Sequence, residues 1–413
     1  MQETSRYAVG IDIGTTTIRC VVGHIDASTG APTVVGVGSA VNSGMRKGVV
    51  AHLAGPAQAI DEALGEAERM SGYQVDAAVL SINGSHIVST KADGMIAVGA
   101  MDHEIVAADL ARIEEVATLG KVPANREILE VVPHSYRLDG QDNIKDPLGM
   151  TGTRLEISAN VVSALAPHLH NLEKSAEMAK VELRMVTPSV LGAARAVLTE
   201  QQKENGVAVI DLGGATTSIA VFEEGDLQYV AIIPLGGVNI TNDLAIGLKT
   251  DPEIAEKVKV GHATAIARKN DERISLKQDK ETLYFDSSDV DEIVEARLDE
   301  IFESVQKELK RAGRAGKLPS GIVLTGGSAK IKGIAEYAKE KLGLAARVGK
   351  PAGFGGVAEN IEEPQFATAV GLMLLDAEGV TPKAGGAGKS DGSKDALKKA
   401  GGIISSFFSR FKA

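Results

Sequence analysis

No tryptophan occurs in the 413 residues, and aromatic side chains make up only 3% of them. Platforms for stacking nucleic-acid bases are therefore scarce. Basic residues are in deficit as well. The 44 lysines and arginines are outnumbered by 55 aspartates and glutamates, leaving a net charge of −11. That is the wrong sign for a surface that must hold a phosphate backbone, so nucleic acid is excluded as a general partner. Cys20 is the single cysteine and can close no internal disulfide, which fits a reducing cytosol. No apolar run approaches the ~20 residues of a membrane-spanning helix. The opening MQETSRYAVGIDIG lacks the basic-then-apolar order of a signal peptide, so none is expected. With 44% apolar and 24% charged residues, the composition is that of a globular protein with two or more domains.

Strand-like and helix-like periods alternate along the chain, which predicts an α/β fold. YAVGIDIG (7–14) and TIRCVVG (17–23) read as a hairpin, TVVGVGSA (33–40) as a third strand, 53–72 as a helix and 76–82 as a buried strand. VAVIDLGGATTSIAVF (207–222) repeats the design of the first hairpin, which implies two related lobes. Between them, 86–117 reads as strand–strand–helix, followed by strands at 127–138 and 154–165; together these form an inserted subdomain. The last organised element, PQFATAVGLMLLDA (364–377), has Ala367, Ala369 and Gly371 to allow close helix packing. A Gly-, Ser-, Lys- and Ala-rich stretch follows and reads as a flexible linker.

Asp12 and Asp211 each close an apolar strand, and each is followed by a small turn: Gly14, Thr15, Thr16 and Thr17, and Gly213, Gly214, Ala215 and Thr216. Glycine lets backbone approach a phosphate, and successive N–H groups in such turns cradle anions. A carboxylate at the strand end can share a hydrated Mg²⁺ with the phosphates. One Asp-X-Gly turn signifies little, because plain hairpin turns use the same residues. Two of them, one per lobe, read as jaws around a nucleotide. GIVLTGGSAKIKGIAEYAKEKLG (321–343) reads as strand, turn and helix. Gly326, Gly327, Ser328 and the helix N-terminus are expected to meet ribose and adenine. His168 and His170 read as solvent-facing loop residues, since no carboxylate or cysteine cluster accompanies them. Cys20, alternating with apolar residues, reads as a buried structural thiol.

These three segments, in this order, resemble the actin/Hsp70/sugar-kinase superfamily. GIVLTGGSAKIKG, VIDLGGATTSIAVFEEGDL, IPLGGVNITNDLA, EEPQFATAVGL and the inserted INGSHIVSTKADGMIAV are similar to the FtsA family of actin-like bacterial division proteins. The resemblance implies a two-lobed actin-like ATPase fold. Subdomain 1A would span 1–84 and 163–204, subdomain 1C 85–162, subdomain 2A 205–242 and 319–376, and subdomain 2B 243–318. A linker at 377–400 would lead to an amphipathic helix at 401–413. The same resemblance implies ATP and Mg²⁺ as ligands, with Asp12 and Asp211 at the metal. NDLAIGLKTDPEIAEKVKVGHA (242–263) resembles the family's nucleotide-contacting helix, which implies that Glu256 and Lys259 meet ribose and base, although a solvated i,i+3 ion pair fits those two residues as well. Related hydrolases carry Glu or Gln where Thr187, Pro188 and Ser189 stand here, so ATP turnover is expected to be weak or absent. The charged helix at 295–317 would lie in subdomain 2B, where the family receives the acidic C-terminal peptide of FtsZ, with Arg297 the candidate contact. Self-assembly into filaments and binding of other division proteins are implied too.

GGIISSFFSRFKA (401–413) holds three of the eight phenylalanines. At 100° per residue, Ile403, Ile404, Phe407, Phe408 and Phe411 fall within an arc of about 140°. Ser405, Ser409 and Lys412 fall opposite, and Arg410 lies at the rim. With Lys398 and Lys399 upstream, this is the design of an interfacial helix on anionic lipid. Docking on the body is the other fate open to such a segment. FtsA proteins carry a membrane-targeting helix of this kind, which implies a peripheral position on the cytoplasmic face of the inner membrane at the septum. Two other readings remain: a pilus-assembly actin homologue of the PilM type that captures a membrane partner's peptide, and a small-molecule kinase of the same superfamily.

Overall fold

A five-stranded sheet built twice organises the computed structural model, which describes residues 6–99, 103–278, 281–356 and 361–379. The first lobe opens with β1 (Arg6–Ile13), β2 (Thr17–Ile25), β3 (Pro32–Val41), the two-residue strands β4 (Met45–Arg46) and β5 (Val49–Val50), α1 (Ala54–Ser71) and β6 (Ala77–Ile82). An insertion follows: β7 (Val88–Ala97), α2 (Ala107–Thr118), β8 (Arg126–Leu138), β9 (Gln141–Ile144) and β10 (Arg154–Leu165). The chain returns through α3 (Ala166–Met178), β11 (Glu182–Pro188), α4 (Ser189–Val197) and α5 (Glu200–Asn205). The second lobe begins with β12 (Val207–Leu212), β13 (Thr217–Glu223), β14 (Asp226–Ile233), α6 (Gly237–Gly247) and α7 (Pro252–His262). It continues with β15 (Arg273–Gln278), β16 (Glu281–Asp286), α8 (Ser287–Arg311), β17 (Ile322–Thr325), α9 (Ile334–Leu342), β18 (Ala346–Val348) and α10 (Ala367–Ala377).

The sheet orders are β3-β2-β1-β6-β11 and β14-β13-β12-β17-β18. In both, three antiparallel strands are extended by two parallel ones. Asp12 and Asp211 therefore occupy equivalent strand ends. Parallel strands collect their C-terminal ends on one edge, the usual place for a ligand in such sheets. The second sheet is buried on both faces. Val207 and Val209 belong to the core shared with the first lobe, while Ala208 and Ile210 belong to the core under α6 to α9. The insertion has its own sheet, β7-β10-β8-β9, and a small core around Ile113, Leu155 and Val161.

Close backbone approach between helices fixes the centre. α10 lies on β1, β2 and β6 and against α4, which rests on β12 and β13. A Cβ on Gly371 would overlap the Gly192 carbonyl of α4, and a Cβ on Gly10 would strike the α10 backbone at Ala369 and Met373. The small residues at 367–371 are thus required by contact. Asp376, 3% exposed, accepts a 2.7 Å hydrogen bond from the Val9 N–H and pairs with Arg184 at 2.5 Å.

Several expectations need correction. α10, expected with the second lobe (319–376), packs on the first sheet, because its glycine and alanine face fits the groove between β1 and α4. The expected boundary at 242/243 falls inside α6. The segment 242–263, expected as one helix, is two: Lys249 takes a positive φ and Pro252 starts the next helix. Where a pair of strands was expected within 86–117, the described residues hold one strand, β7, ahead of α2. His168 and His170 lie on α3 rather than in a loop, and His168 packs against His86 with ring centroids 4.5 Å apart. Cys20 is fully buried, and burial pushes its thiol pKa far up. Ile403, Ile404, Phe407, Phe408 and Phe411 lie outside the described residues, as does the linker beyond Gly379.

Gly371→Ala must displace α10 from α4 and should cost at least the ~1–3 kcal/mol typical of overpacking. Gly65→Ala on α1 is the control, because its Cβ would meet nothing closer than 3.7 Å. That change should stabilise by up to about 1 kcal/mol. Urea midpoints of the two variants measure both effects; equal midpoints would contradict this packing.

Candidate functional site

The turns after β1 and β12 face each other at contact distance. A Cβ on Gly214 would lie 2.6 Å from the Thr16 hydroxyl oxygen. Each turn is braced from behind. Thr15 Oγ1 accepts a 3.0 Å hydrogen bond from the Gly48 N–H, and Asn42 Nδ2 donates to the Gly14 carbonyl at 2.8 Å. In the other turn, a Cβ on Gly236 would sit 2.7–2.8 Å from the Gly213 and Gly214 carbonyls. Thr217 turns its hydroxyl away, donating to the Leu235 carbonyl at 2.9 Å. Gly326, at φ +86°, passes directly over Asp211, and any side chain there would strike the carboxylate. Ser328 Oγ reaches the Gly213 carbonyl at 3.4 Å.

The electrostatics of the cleft are unbalanced. Burial lifts the pKa of Asp211 to about 7, the Asp12 charge adds to the lift, and Arg19 opposes it. Asp12 is also raised by burial, against the pull of Arg19 and of the 2.9 Å hydrogen bond donated by Ser81. Arg19 stands across the hairpin from Asp12, in register with it, and its guanidinium lies 5.6 Å from the centre of the Phe366 ring. Burial lowers its pKa while both aspartates hold it up. One guanidinium thus serves two desolvated carboxylates. Three buried hydroxyls nearby, on Thr187, Ser189 and Thr325, have no hydrogen-bond partner in the structure. Thr187 is the strand neighbour of Ser81, and Thr325 that of Asp211.

This donor set fits a Mg²⁺ that brings phosphate and water ligands of its own, since Mg²⁺ commonly takes only one or two protein carboxylates. It does not fit an ion caged wholly by protein. Among the described residues no group of three or more His, Cys, Asp or Glu side chains is placed to hold a metal.

Glu256 and Lys259 reach the same region. Lys259 Nζ donates to Glu256 at 2.6 Å, to Thr241 Oγ1 at 2.9 Å and to the Gly237 carbonyl at 3.2 Å. A Cβ on Gly237 would lie 2.5 Å from Ser328 Oγ and 3.4 Å from Lys259 Nζ. The i,i+3 ion pair therefore exists, and it sits beside the Gly326–Ser328 turn. The N-terminus of α9 does not: a short 3-10 turn at Gly327–Lys330 intervenes, and the helix starts only at Ile334. Gly327 is open, with nothing within 4 Å of a Cβ placed on it. Arg297 lies elsewhere. Its guanidinium grips Asp243 of α6 through two bonds, of 2.5 and 3.0 Å, and also pairs with Glu300. These carboxylates raise its pKa.

Sequence reasoning missed Arg19 and Asn83. Arg19 was detectable as a charged residue inside an apolar strand, opposite the aspartate in the hairpin register. Asn83, which follows β6 and donates to Thr216 Oγ1 in the second turn, carried no such signal.

A family model described as cell division protein FtsA matches residues 208–371, and one described as the SHS2 domain inserted in FtsA matches 84–163. Cell division protein FtsA of Pseudomonas aeruginosa is 35% identical over 90% of this chain and 89% of its own. FtsA of Bacillus subtilis is 36% identical over 88% and 82%, and that of Escherichia coli K12 30% over 89% and 90%. Among solved structures, the PilM-PilN type IV pilus biogenesis complex aligns with TM-score 0.66 at 17% identity, over 90% of this chain and 98% of that one. MreB5 of Spiroplasma citri bound to ADP aligns with TM-score 0.55 at 13% identity, over 90% and 96%. The fold is actin-like.

Because the folded protein keeps a proton on Asp211 that the unfolded chain has released, this group favours folding below about pH 4, and the benefit is lost as pH rises to about 7. Asp211→Asn should therefore stabilise the ligand-free protein at pH 8, by no more than about 1.4 kcal/mol per pKa unit, and progressively less toward pH 4. Denaturant midpoints across that range test this; a variant less stable than wild type at pH 8 would contradict it.

Proposed function

The chain belongs to the FtsA family of cell division proteins, and from that premise we propose that it is an ATP-gated scaffold that polymerises and tethers FtsZ filaments to the membrane. Its role lies in cell division. The observation that carries the nucleotide reading is the pair of Asp-X-Gly turns in contact, with two raised carboxylates and one arginine whose charge acts on both. Asp12 and Asp211 would hold Mg²⁺, whose charge would offset part of that of the carboxylates and the phosphates. Backbone N–H groups at 14–17 and 213–216 would hold the phosphates. Gly326, Gly327 and Ser328 would line the nucleoside side, and Glu256 and Lys259 would turn from each other toward ribose and base. Thr187 supplies a hydroxyl where a carboxylate would orient water, so we propose slow or negligible turnover.

The membrane contact we assign to Ile403, Ile404, Phe407, Phe408 and Phe411. Among the described residues no helix is long and apolar enough to cross a membrane. Each buried Ile or Phe contributes roughly 1.5–3 kcal/mol. Ordering the segment and shallow insertion remove much of that, so one copy would bind reversibly and a filament would hold by avidity. The FtsZ tail we assign to the surface around α8, with Arg297 as a contact. Because Asp243 and Glu300 already occupy that guanidinium, an acidic tail would have to replace one carboxylate with another. Charge reversal at Arg297 would also break the α6–α8 clamp, so a loss of binding has to be read beside a measurement of stability. Other division proteins complete the proposed partners.

Calorimetry tests the nucleotide site. Asp12→Ala and Asp211→Ala should each weaken ATP·Mg²⁺ binding at least tenfold, about 1.4 kcal/mol, and reduce filament formation in parallel. Unchanged affinity in both would remove the assignment.

Phe407 lies well inside the apolar arc, so Phe407→Glu places a carboxylate in it. The loss should exceed the roughly 1.5–3 kcal/mol of one phenylalanine, because the charge is also repelled by anionic headgroups. Vesicle binding should collapse while the thermal midpoint and ATP affinity stay as they were. Ser405→Glu on the opposite face should cost far less. A midpoint lowered by several degrees, with vesicle binding retained, would mean that the segment docks on the body.

A further inference from the structure

Asn83 sits at a junction that the nucleotide site alone does not explain. It follows the last residue of β6, where the chain leaves the first lobe for the insertion. Its side chain reaches across to the second lobe. Nδ2 donates to Thr216 Oγ1 at 3.1 Å, within the second turn, and Oδ1 accepts from Ser218 Oγ at 3.2 Å and from the Gly84 N–H at 2.8 Å. The duplicated hairpins make room for it. The residue paired with the strand-end aspartate is Arg19 in the first hairpin and Ser218 in the second. A side chain as long as arginine at 218 would fill the space that Asn83 uses.

Behind Asn83, its contacts lead into the insertion. Its carbonyl lies 3.1 Å from His86 Nε2. Burial, aided by His168, lowers the His86 pKa to about 4. The ring is therefore neutral at physiological pH, and Nε2–H is the donor to that carbonyl. The His86 carbonyl in turn accepts from Arg126 of β8, which also donates to the Ser163 carbonyl at 2.7 Å and to Ser163 Oγ at 2.9 Å. Arg126 thus binds the strand that enters the insertion to the strand that leaves it. The first turn touches the same point: Gly48, whose N–H holds Thr15, would strike Gly84 if it carried a Cβ. Other contacts between insertion and second lobe, Asn160 Nδ2 to the Gln228 carbonyl at 2.9 Å and Lys145 Nζ to Asp226 at 2.6 Å, lie on β14, away from either turn.

We propose that Asn83 is a positioning residue that couples the second phosphate turn, through Thr216 and Ser218, to the root of the inserted subdomain, so that the occupant of the cleft sets how firmly the insertion is held. This rests on the nucleotide reading of the cleft. Thr216 Oγ1 accepts from Asn83 Nδ2, which leaves its hydroxyl proton free to donate to a ligand at the same time. A ligand that fixes the turn fixes the Asn83 contacts, and linkage requires the insertion to influence ligand affinity in return.

Hydrogen exchange on the full chain, with and without ATP·Mg²⁺, tests this. In wild type, ATP·Mg²⁺ should slow exchange several-fold in peptides covering 208–217 and also in those covering 84–92 and 159–166. In Asn83→Ala, the slowing at 208–217 should persist and that at 84–92 and 159–166 should disappear. Ser218→Ala, a smaller change, should reduce the root response while leaving the fold intact, which serves if Asn83→Ala folds poorly. The double variant should lose no more than Asn83→Ala alone, because the two residues act through each other. A root response retained in both single variants overturns the coupling, as does a wild-type root that does not respond while 208–217 does. No response at 208–217 in wild type overturns the nucleotide reading itself, and the coupling with it.

Discussion

Two desolvated carboxylates that share the charge of a single guanidinium are the constraint on which the rest of the molecule turns. Burial makes each charged carboxylate costly, and the lift in the Asp211 pKa records that desolvation first, with the Asp12 charge adding to it. A chain selected only for stability would not place Asp12 and Asp211 there. The surrounding structure nevertheless enforces the arrangement. Gly214 admits Thr16, Gly236 admits the carbonyls of the second turn, and Gly326 clears the Asp211 carboxylate. Each glycine lets backbone approach where a side chain would push the jaws apart.

The scaffold that carries this cost is stiff where it must be. α10 closes on α4 through Gly371 and Gly192, and Asp376 ties its end to β1 and Arg184. These contacts hold the first sheet and the central helices as one unit. On the far side, Arg297 clamps α8 to α6 through Asp243. The insertion is joined at its root by apolar packing, with Val132 of β8 and Val162 of β10 in the core of the first lobe, and by polar contacts at Arg126. Toward the second lobe its hydrogen bonds and ion pairs run from Asn160 and Lys145 to β14.

Much of this was legible in the sequence, and the reasons are physical. The two hairpins repeat a pattern of apolar alternation, aspartate and small turn that survives in one dimension, so β1, β2, β12 and β13 were placed nearly to the residue. The actin-like fold was implied by the order of those hairpins and the 321–343 segment, and the FtsA family by the resemblance of longer stretches such as IPLGGVNITNDLA and EEPQFATAVGL. α10 was recognised as a closely packed helix but assigned to the wrong lobe, because its small-residue face says that something comes near and not what. The break between α6 and α7 was missed although Pro252 signals it. Arg297 read as a contact for an acidic peptide without its internal partner, since nothing local shows that Asp243, 54 residues away in the chain, would pair with it. Asn83 was invisible for the same reason: its partners Thr216 and Ser218 are more than a hundred residues distant.

The central claim is that the cleft is built for a phosphate–metal complex rather than for an anion or a cation alone. The most direct measurement is the thermal midpoint of the wild-type chain with ATP in the presence of Mg²⁺ and, separately, of a chelator. ATP without the metal should stabilise little, because the nucleotide's charge adds to that of Asp12 and Asp211. ATP with Mg²⁺ should raise the midpoint by several degrees, as expected when a ligand binds only the folded state. Equal stabilisation with and without Mg²⁺, or none in either case, would contradict the claim.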